Sequence, residues 1–518
     1  MKRVWFAYAL LILLALSFRL FIALRLPNDE PDDGRVYSQI ARNVIEQHVY
    51  SHDSQPPFAP SLIRLPGYPF FLIGVYKIFG AGNNTAVRVV QAVIDTATCV
   101  LIALIAFKWA MVEERKHRAA LIALGLAAVC PFTVIYVATI LTEVFTNFLA
   151  AAMVLTATFA FKATIRKRAL VYWTVTGLLA GFVVLFRPDA GLFAAALGST
   201  LILSALPGLR RLREAILFAA VFSLAFCLVL VPWTIRNRRV FHVFQPLAPA
   251  HAEMPGEFVP RGYLLWVRTW LSDERYVAPA LWAMDTRRMS VDDFPDSAFD
   301  SDEERDRVAA LLNKYNHPDD EEAPEEQASS DDDDQNQDEE EGSNEEEQQP
   351  EQPEEINVEM TPAIDAGFAQ IGQERVAHSR LRYYVILPLK RAATLWFDTH
   401  SQYYPFNGEL LPLDDLDYDI HQQYWLPLFT ALTWIYTLLG VIGGLLLWRS
   451  RDPSSRRWLL LAVLLMLLRL GFFASLENPE PRYTVELFPF LIIVAGAGLA
   501  AFRASVKATQ PDVVPMAE

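Results

Sequence analysis

Long apolar runs constrain this chain more than any other feature. Ten segments are apolar over about the 20 residues that an α-helix needs to cross a bilayer, and hydrophobic residues make up 53% of the 518 residues. A soluble protein of this length does not need that apolar fraction. The sequence therefore predicts an all-α polytopic membrane protein with about ten transmembrane helices. The expected spans lie near 4–26, 85–110, 119–137, 141–162, 169–187, 189–207, 214–234, 425–448, 457–476 and 483–503.

Basic residues in the short loops predict the orientation. If there are ten spans, these residues fall on one side, and basic loops favour the cytoplasmic side. We therefore expect a multi-pass protein of the inner or plasma membrane, with its N-terminus in the cytoplasm and its remaining polar loops outside. The basic segments are 2–3, 108–118, 162–168, 210–213 and 449–457.

The apolar runs also divide the chain. We expect an N-terminal membrane module over 1–235 that includes a first outer loop at 27–84. An extracytoplasmic region over 236–424 follows, then C-terminal membrane helices over 425–503 and a cytoplasmic tail over 504–518.

Three short segments have the character of helices that lie in the membrane interface. These segments are 34–48, 69–79 and 383–397. In the outer region, the capping-box pattern from Ser301 to Glu304 predicts a helix over 302–314. Thr361 followed by Pro362 predicts another helix start.

The charge of −15 is concentrated in one stretch. Residues 301–360 hold 25 acidic and three basic residues, so the rest of the chain is mildly basic. The acidic insert at 318–355 has too few apolar residues to offset the entropy of ordering, and we expect it to be disordered.

Two acids on the expected outer face are candidate catalytic residues. Asp33 follows the first span, and a carboxylate at the membrane surface can take the proton of an acceptor hydroxyl. Glu143 begins the fourth span, where it can position the acceptor or a cation. Each acid also has a simpler interpretation, because Asp33 can cap a helix and Glu143 can complement a helix dipole.

Arginines on the same face are candidate phosphate ligands, because a guanidinium can grip phosphate oxygens with two parallel hydrogen bonds. Arg64 is followed by Pro66 and Pro69, which would hold it rigid. Arg236 and Arg482 lie at outer helix ends. Any one of them could instead bind lipid headgroups. Within the spans, Arg19 and Asp95 are more simply explained as a structural ion pair, because an isolated charge in the bilayer is costly.

The sequence contains no recognisable motif for a metal or a nucleotide cofactor. The histidines have no zinc-binding spacing, and nucleotide-binding glycine motifs are absent from the sequence. A divalent cation remains a possibility, with no ligands assigned. The expected partners are a lipid-linked sugar, an unidentified acceptor and the bilayer, with no nucleic acid.

Several short blocks, in their order along the chain, resemble the GT-C superfamily of polytopic membrane glycosyltransferases. This superfamily includes the protein O-mannosyltransferases, the lipid A aminoarabinose transferases and the rhizobial galacturonosyltransferases. The blocks are Asp33 to Tyr37, Arg64 to Pro69, Thr142–Glu143, Arg187–Pro188, Pro232 to Asn237, Pro388 to Trp396 and Arg482 to Pro489. This sequence has Gly34 where many relatives have a second acid.

The resemblance implies a polyprenyl-phosphate sugar donor, transfer outside the cytoplasm and inversion at the anomeric carbon. It implies that Asp33 is the base or positions it, that Glu143 is its partner, and that Arg64 binds the donor phosphate. Tyr37, Arg236 and Arg482 complete the expected donor site.

The sequence thus predicts a glycosyltransferase that moves a hexosyl or pentosyl unit to a glycolipid, a cell-envelope polymer or a protein. Two alternatives belong to other classes. A transporter or lipid flippase would place ionisable residues near the bilayer midplane. A scaffolding protein would use the acidic insert as a docking tail.

Overall fold

The computed structural model describes residues 2–26, 30, 32–249, 251–318, 358–398, 400, 404, 425–450 and 452–501. The segment 319–355 of the acidic insert and the predicted tail 504–518 lie outside the described residues. The regular elements are helices. They are α1 Lys2–Arg25, α2 Asp32–Glu46, α3 Gly67–Phe79, α4 Asn84–Trp109, α5 Lys116–Ala128, α6 Pro131–Val134, α7 Glu143–Lys162, α8 Arg166–Phe186, α9 Gly191–Ala205, α10 Leu209–Phe241, α11 Arg261–Arg268, α12 Asp302–Asn316, α13 Pro362–His378, α14 Leu387–Phe397, α15 Leu426–Arg449, α16 Pro453–Ala474 and α17 Phe488–Leu499.

The predicted membrane spans are confirmed within the described part of the chain. Nine helical segments there are long and apolar enough to cross a bilayer, and a bent pair of helices makes ten if it is counted as one span. The pair, Glu113–Ala128 and Pro131–Val137, bends by 55°. Each span overlaps its predicted position, and α10 extends furthest beyond the prediction, which ends at 234. The chain is therefore an all-α multi-pass membrane protein.

The bend between α5 and α6 is held by an ion pair inside the membrane. Arg19 Nε donates to Asp95 Oδ2 at 2.6 Å, which confirms the predicted pairing. The two Nη atoms of Arg19 donate to the carbonyls of Ala127 and Ala128 at 3.2 Å. Carbonyls at a helix C-terminus have no hydrogen-bond partner within the helix. Arg19 therefore caps the C-terminus of α5, just before Pro131 interrupts the backbone hydrogen bonds of the helix.

The chain forms two compact units, and the first contains the membrane helices. It comprises Met1–Val259, Leu395–Phe473 and Pro481–Glu518. Close helix packing in this unit depends on small residues. A Cβ at Gly498 would lie 2.1 Å from the carbonyl oxygen of Gly443, so α15 and α17 can approach this closely only with glycine there.

The second unit comprises Pro260–Thr394 and Ala474–Glu480. An aromatic core that includes Tyr263, Trp266 and Phe368 joins α11 to α13. The predicted helix starts are confirmed, because the side chains of Ser301 and Thr361 cap α12 and α13. The domain boundaries at 236 and 424 stay a prediction.

Two of the predicted interfacial helices lie next to the candidate acids. Helix α2 covers 32–46 and α3 covers 67–79, close to the expected limits. Ala41 of α2 packs with Tyr68 and Leu72 of α3 in one buried cluster. This packing fixes the first turn of α2, which carries Asp33, against the loop that carries Arg64.

Candidate functional site

The carboxylate of Asp33 lies between two arginines. Arg64 Nη2 donates to Oδ1 at 2.7 Å, and Arg482 Nη2 donates to Oδ2 at 2.9 Å. Burial raises the pKa of Asp33, but Arg482 and Arg64 more than offset it and hold the pKa below its ordinary value. The neighbouring Asp32 points to water with 99% of its side chain exposed. The two side chains therefore point in different directions from the first turn of α2, and of the two only Asp33 faces the arginines.

Glu143, the first residue of α7, is fully buried and lies beside Arg482, one of the two arginines that contact Asp33. Its Oε1 lies 2.8 Å from Arg187 Nη1 and 3.3 Å from Arg482 Nε. Its Oε2 is buried without a hydrogen-bond partner. Arg482 therefore bridges the two acids that the sequence singles out, and a dipole interaction alone does not account for Glu143.

The ion pairs continue into the membrane unit beyond Glu143. Arg187 Nη1 lies 3.0 Å from Glu486 Oε1, and Arg469 Nη2 lies 3.0 Å from Glu486 Oε2. Arg469 Nη1 also reaches Asp189 Oδ2 at 2.6 Å, and Arg187 contacts Asp189 from the other side. We call this set the arginine–carboxylate cluster; its members are Asp33, Arg64, Glu143, Arg187, Asp189, Arg469, Arg482 and Glu486.

The cluster is open at one end and closed at the other. The side chains of Asp33, Arg64 and Arg482 are 32%, 22% and 15% exposed, whereas those of Arg469 and Glu486 are 0% exposed. Four guanidinium groups face four carboxylates, so the charges cancel if all are ionised. The most exposed arginines of the cluster, Arg64 and Arg482, lie at the open end beside Asp33, where an anion can reach them.

Sequence reasoning did not single out Arg469 or Glu486. Arg469 stands alone in the apolar run of α16, and Glu486 lies within the resembling block Arg482 to Pro489. An ionisable residue inside a span is expensive and indicates a partner. That signal was available for Arg469, but its partners could not be named from the sequence.

Tyr37 lies on α2 one turn after Asp33, beside the open end. Its ring packs edge-on against Tyr68 with 5.2 Å between centroids, and the Arg64 guanidinium lies 5.9 Å from its centroid. Burial is the main cause that raises the pKa of Tyr37 to about 12. Its hydroxyl therefore stays protonated at neutral pH, as a hydrogen-bond donor must.

Arg236 contacts neither candidate acid. Its Nη1 donates to the Ser61 carbonyl at 2.7 Å and to Asn237 Oδ1 at 2.9 Å, and its guanidinium lies 5.3 Å from the centroid of the Tyr50 ring. The Tyr50 hydroxyl in turn donates to the Arg64 carbonyl at 3.1 Å. Arg236 thus supports the loop that carries Arg64, and its predicted role at the phosphate stays a prediction.

Gln91 connects the turn before α7 to Tyr68 at the start of α3. Its Nε2 donates to the carbonyls of Thr139 at 2.8 Å and Val137 at 3.2 Å, just before Glu143. Its Oε1 accepts from the Tyr68 hydroxyl at 2.8 Å. One buried amide therefore fixes the turn before α7 relative to the motif that follows Arg64.

Among the described residues, no group of three or more His, Cys, Asp or Glu side chains is arranged to hold a metal ion. Each carboxylate of the cluster faces at least one guanidinium, a set of charges that suits an anion better than a cation. The possible divalent cation stays a prediction without assigned ligands.

One comparison with known proteins gives a family match. Residues 59–234 match the family model described as dolichyl-phosphate-mannose-protein mannosyltransferase. The matched segment contains Arg64, Glu143 and Arg187. This match confirms the predicted resemblance to the GT-C superfamily of polytopic membrane glycosyltransferases. No curated protein matches the chain significantly.

Solved structures give weaker similarities. The Archaeoglobus fulgidus oligosaccharyltransferase AglB, in complex with an inhibitory peptide and a dolichol-phosphate, is 12% identical with a TM-score of 0.47; the match covers 99% of this chain and 53% of AglB. ArnT from Cupriavidus metallidurans, bound to undecaprenyl phosphate, is 14% identical with a TM-score of 0.35, over 98% of this chain and 82% of ArnT. The chain thus spans about half the length of the oligosaccharyltransferase.

Proposed function

We propose that this protein is an inverting membrane glycosyltransferase. It moves a monosaccharide from a polyprenyl-phosphate donor to an acceptor on the extracytoplasmic face of the membrane. The observation that carries the proposal is the position of Asp33 between Arg64 and Arg482, with Arg482 also beside Glu143. The family match over 59–234 supports the reaction class and the lipid-phosphate donor.

The open end of the cluster suits the donor phosphate. Arg64 and Arg482 are partly exposed there, and each guanidinium has five N–H donors, of which Asp33 uses only some. Fixed positive groups beside the phosphate stabilise the charge that grows on it as the sugar leaves. Tyr37 lies at the same place and offers a hydroxyl. Arg236 supports this site through Tyr50 and the loop that carries Arg64.

The two acids have different surroundings and therefore different roles. Asp33 is partly exposed, so an acceptor hydroxyl can reach its carboxylate and give up a proton to it. Glu143 is closed off, and it holds Arg482 and Arg187 in place. Attack from the side opposite the phosphate would invert the anomeric carbon.

A transporter or flippase is not favoured. Asp33 is in the first turn of α2, Glu143 begins α7, and Arg187 follows the end of α8. Helix ends are the expected place for a site at the membrane surface, whereas a transporter binds its cargo near the midplane. The ion pair deep in a span, Arg19 with Asp95, has a structural role at the bend of α5.

The experiment that tests the function compares cells with and without the protein. Mass analysis of lipid-linked sugars and of cell-envelope glycans should show the donor accumulating and one sugar addition disappearing when the protein is absent. Wild-type protein should restore the addition, and Asp33→Asn should not. Arg238→Gln is a suitable control, because Arg238 is an exposed arginine near the end of α10. Identical lipid and glycan profiles with and without the protein would contradict the proposal.

A further inference from the structure

Asp33 has an unusual environment for a base. Both of its carboxylate oxygens accept a hydrogen bond from an arginine, at 2.7 and 2.9 Å. Burial acts to raise its pKa, and Arg482 and Arg64 together lower it further than burial raises it. Without a donor bound, Asp33 is therefore a stable anion and a weak proton acceptor.

The charged and titratable groups around Asp33 come from three elements. The loop before α3 supplies Arg64, the start of the last span supplies Arg482, and α2 itself supplies Tyr37. Tyr37 is neutral at ordinary pH. Glu143, from the start of α7, shares Arg482 with Asp33 through an ion pair. The two arginines therefore dominate the electrostatics of Asp33.

We propose that the donor phosphate activates Asp33 by taking over Arg64 and Arg482, so that this carboxylate becomes a base only in the donor complex. The inference rests on the proposed function. A phosphate that binds these guanidinium groups offsets their charge, whether or not their bonds to Asp33 break. The effect of burial on Asp33 remains, so its affinity for a proton rises.

The reaction balances with this change. The acceptor hydroxyl gives its proton to Asp33 while its oxygen forms a bond to the anomeric carbon. The bond from that carbon to the phosphate oxygen breaks, and its electron pair stays on the phosphate. The phosphate thereby changes from a diester monoanion to a monoester dianion, which attracts the arginines more strongly while Asp33 carries the proton. The proton then leaves to water or to the phosphate.

The test uses the full chain in lipid nanodiscs with a polyprenyl phosphate that carries no sugar. Difference infrared spectroscopy follows protonation of Asp33 against pH, and Asp33→Asn identifies its signal. Saturating lipid should raise the titration midpoint by at least about one pH unit, a tenfold change in the acid constant. In Arg482→Gln the midpoint should already be higher without lipid, and the lipid should shift it less.

Arg64→Gln provides a second variant with the same expectation if Arg482→Gln does not fold, and Arg238→Gln should respond as the wild type does. Native mass spectrometry of the same samples reports whether the lipid is bound. Bound lipid with an unchanged Asp33 midpoint would overturn this inference and leave the proposed function standing. A wild-type protein that binds no polyprenyl phosphate would contradict both.

Discussion

Arg482 and Asp33 form an ion pair although 449 positions separate them in the sequence. The distance from Arg482 Nη2 to Asp33 Oδ2 is 2.9 Å. This contact joins the first turn of α2 to the start of the last membrane span in the described part of the chain. The site therefore forms only when the membrane unit has folded, because its two charges come from segments that are distant in the sequence.

Substitution of Arg482 should therefore impair transfer severely. Arg482→Gln removes the charge beside the leaving phosphate, and loss of one such electrostatic contact costs about 10²–10³ in rate. We expect a loss of that order in kcat/KM for the donor, measured from initial rates of sugar transfer by purified protein. Arg482→Lys should recover little, because a point charge cannot reach Asp33 and Glu143 together as the planar guanidinium does.

The matched control for Arg482 is again Arg238→Gln, which removes the same charge from an exposed position outside the cluster. Equal rates for Arg482→Gln and wild type would contradict the assignment of Arg482 to the donor site.

The closed end of the cluster should contribute to stability. Arg469→Met leaves Asp189 and Glu486 without their second guanidinium, and removal of one partner from a buried ion pair costs about 3–5 kcal/mol. We expect a clearly lower thermal unfolding midpoint in detergent. Arg210→Gln removes an arginine from an exposed pair with Glu214 and should leave the midpoint unchanged. Equal midpoints for the two variants would show that the buried network adds nothing to stability.

The sequence predicted the membrane fold well because apolar runs and basic loops are local signals. It did not predict the bend between α5 and α6, although Pro131 marks the place, because the apolar run continues through it. For the candidate site, Asp33, Arg64 and Glu143 can be singled out from the sequence, because they lie in short segments that resemble the GT-C superfamily and occur in the same order. Arg469 and Glu486 could not be singled out from the sequence, because the pairing that explains them depends on the folded structure. The predicted role of Arg236 at the phosphate stays a prediction; in the structure its Nη1 donates to the Ser61 carbonyl in the loop that carries Arg64.

Gln91 should matter for both folding and activity. Gln91→Leu keeps most of the side-chain volume but leaves buried carbonyls at Val137 and Thr139 without their donor, at about 1–3 kcal/mol for each unsatisfied group. We expect a lower unfolding midpoint together with reduced transfer, since the turn before Glu143 is no longer fixed. Gln370→Leu, at an exposed pair with Glu374, should change neither quantity. Full stability and activity in Gln91→Leu would contradict this role.

Removal of the acidic stretch 319–355 should leave transfer intact. The members of the arginine–carboxylate cluster lie in other parts of the chain, and the proposed chemistry uses none of the insert. A flexible Gly/Ser linker would replace the stretch. Transfer by this variant and by wild type would be measured with one donor and one acceptor. Total loss of activity in a protein that still folds would contradict this expectation and make the insert central to the function.

The most direct test of the central claim is a transfer assay with purified protein and a polyprenyl-phosphate sugar carrying an isotopic label. We predict that wild type and Arg238→Gln release polyprenyl phosphate and move the label to the acceptor fraction. Asp33→Asn and Glu143→Gln should be folded, as judged by their unfolding midpoints, and inactive. Full transfer by either folded acid variant would contradict the claim that the cluster at Asp33 is the active site.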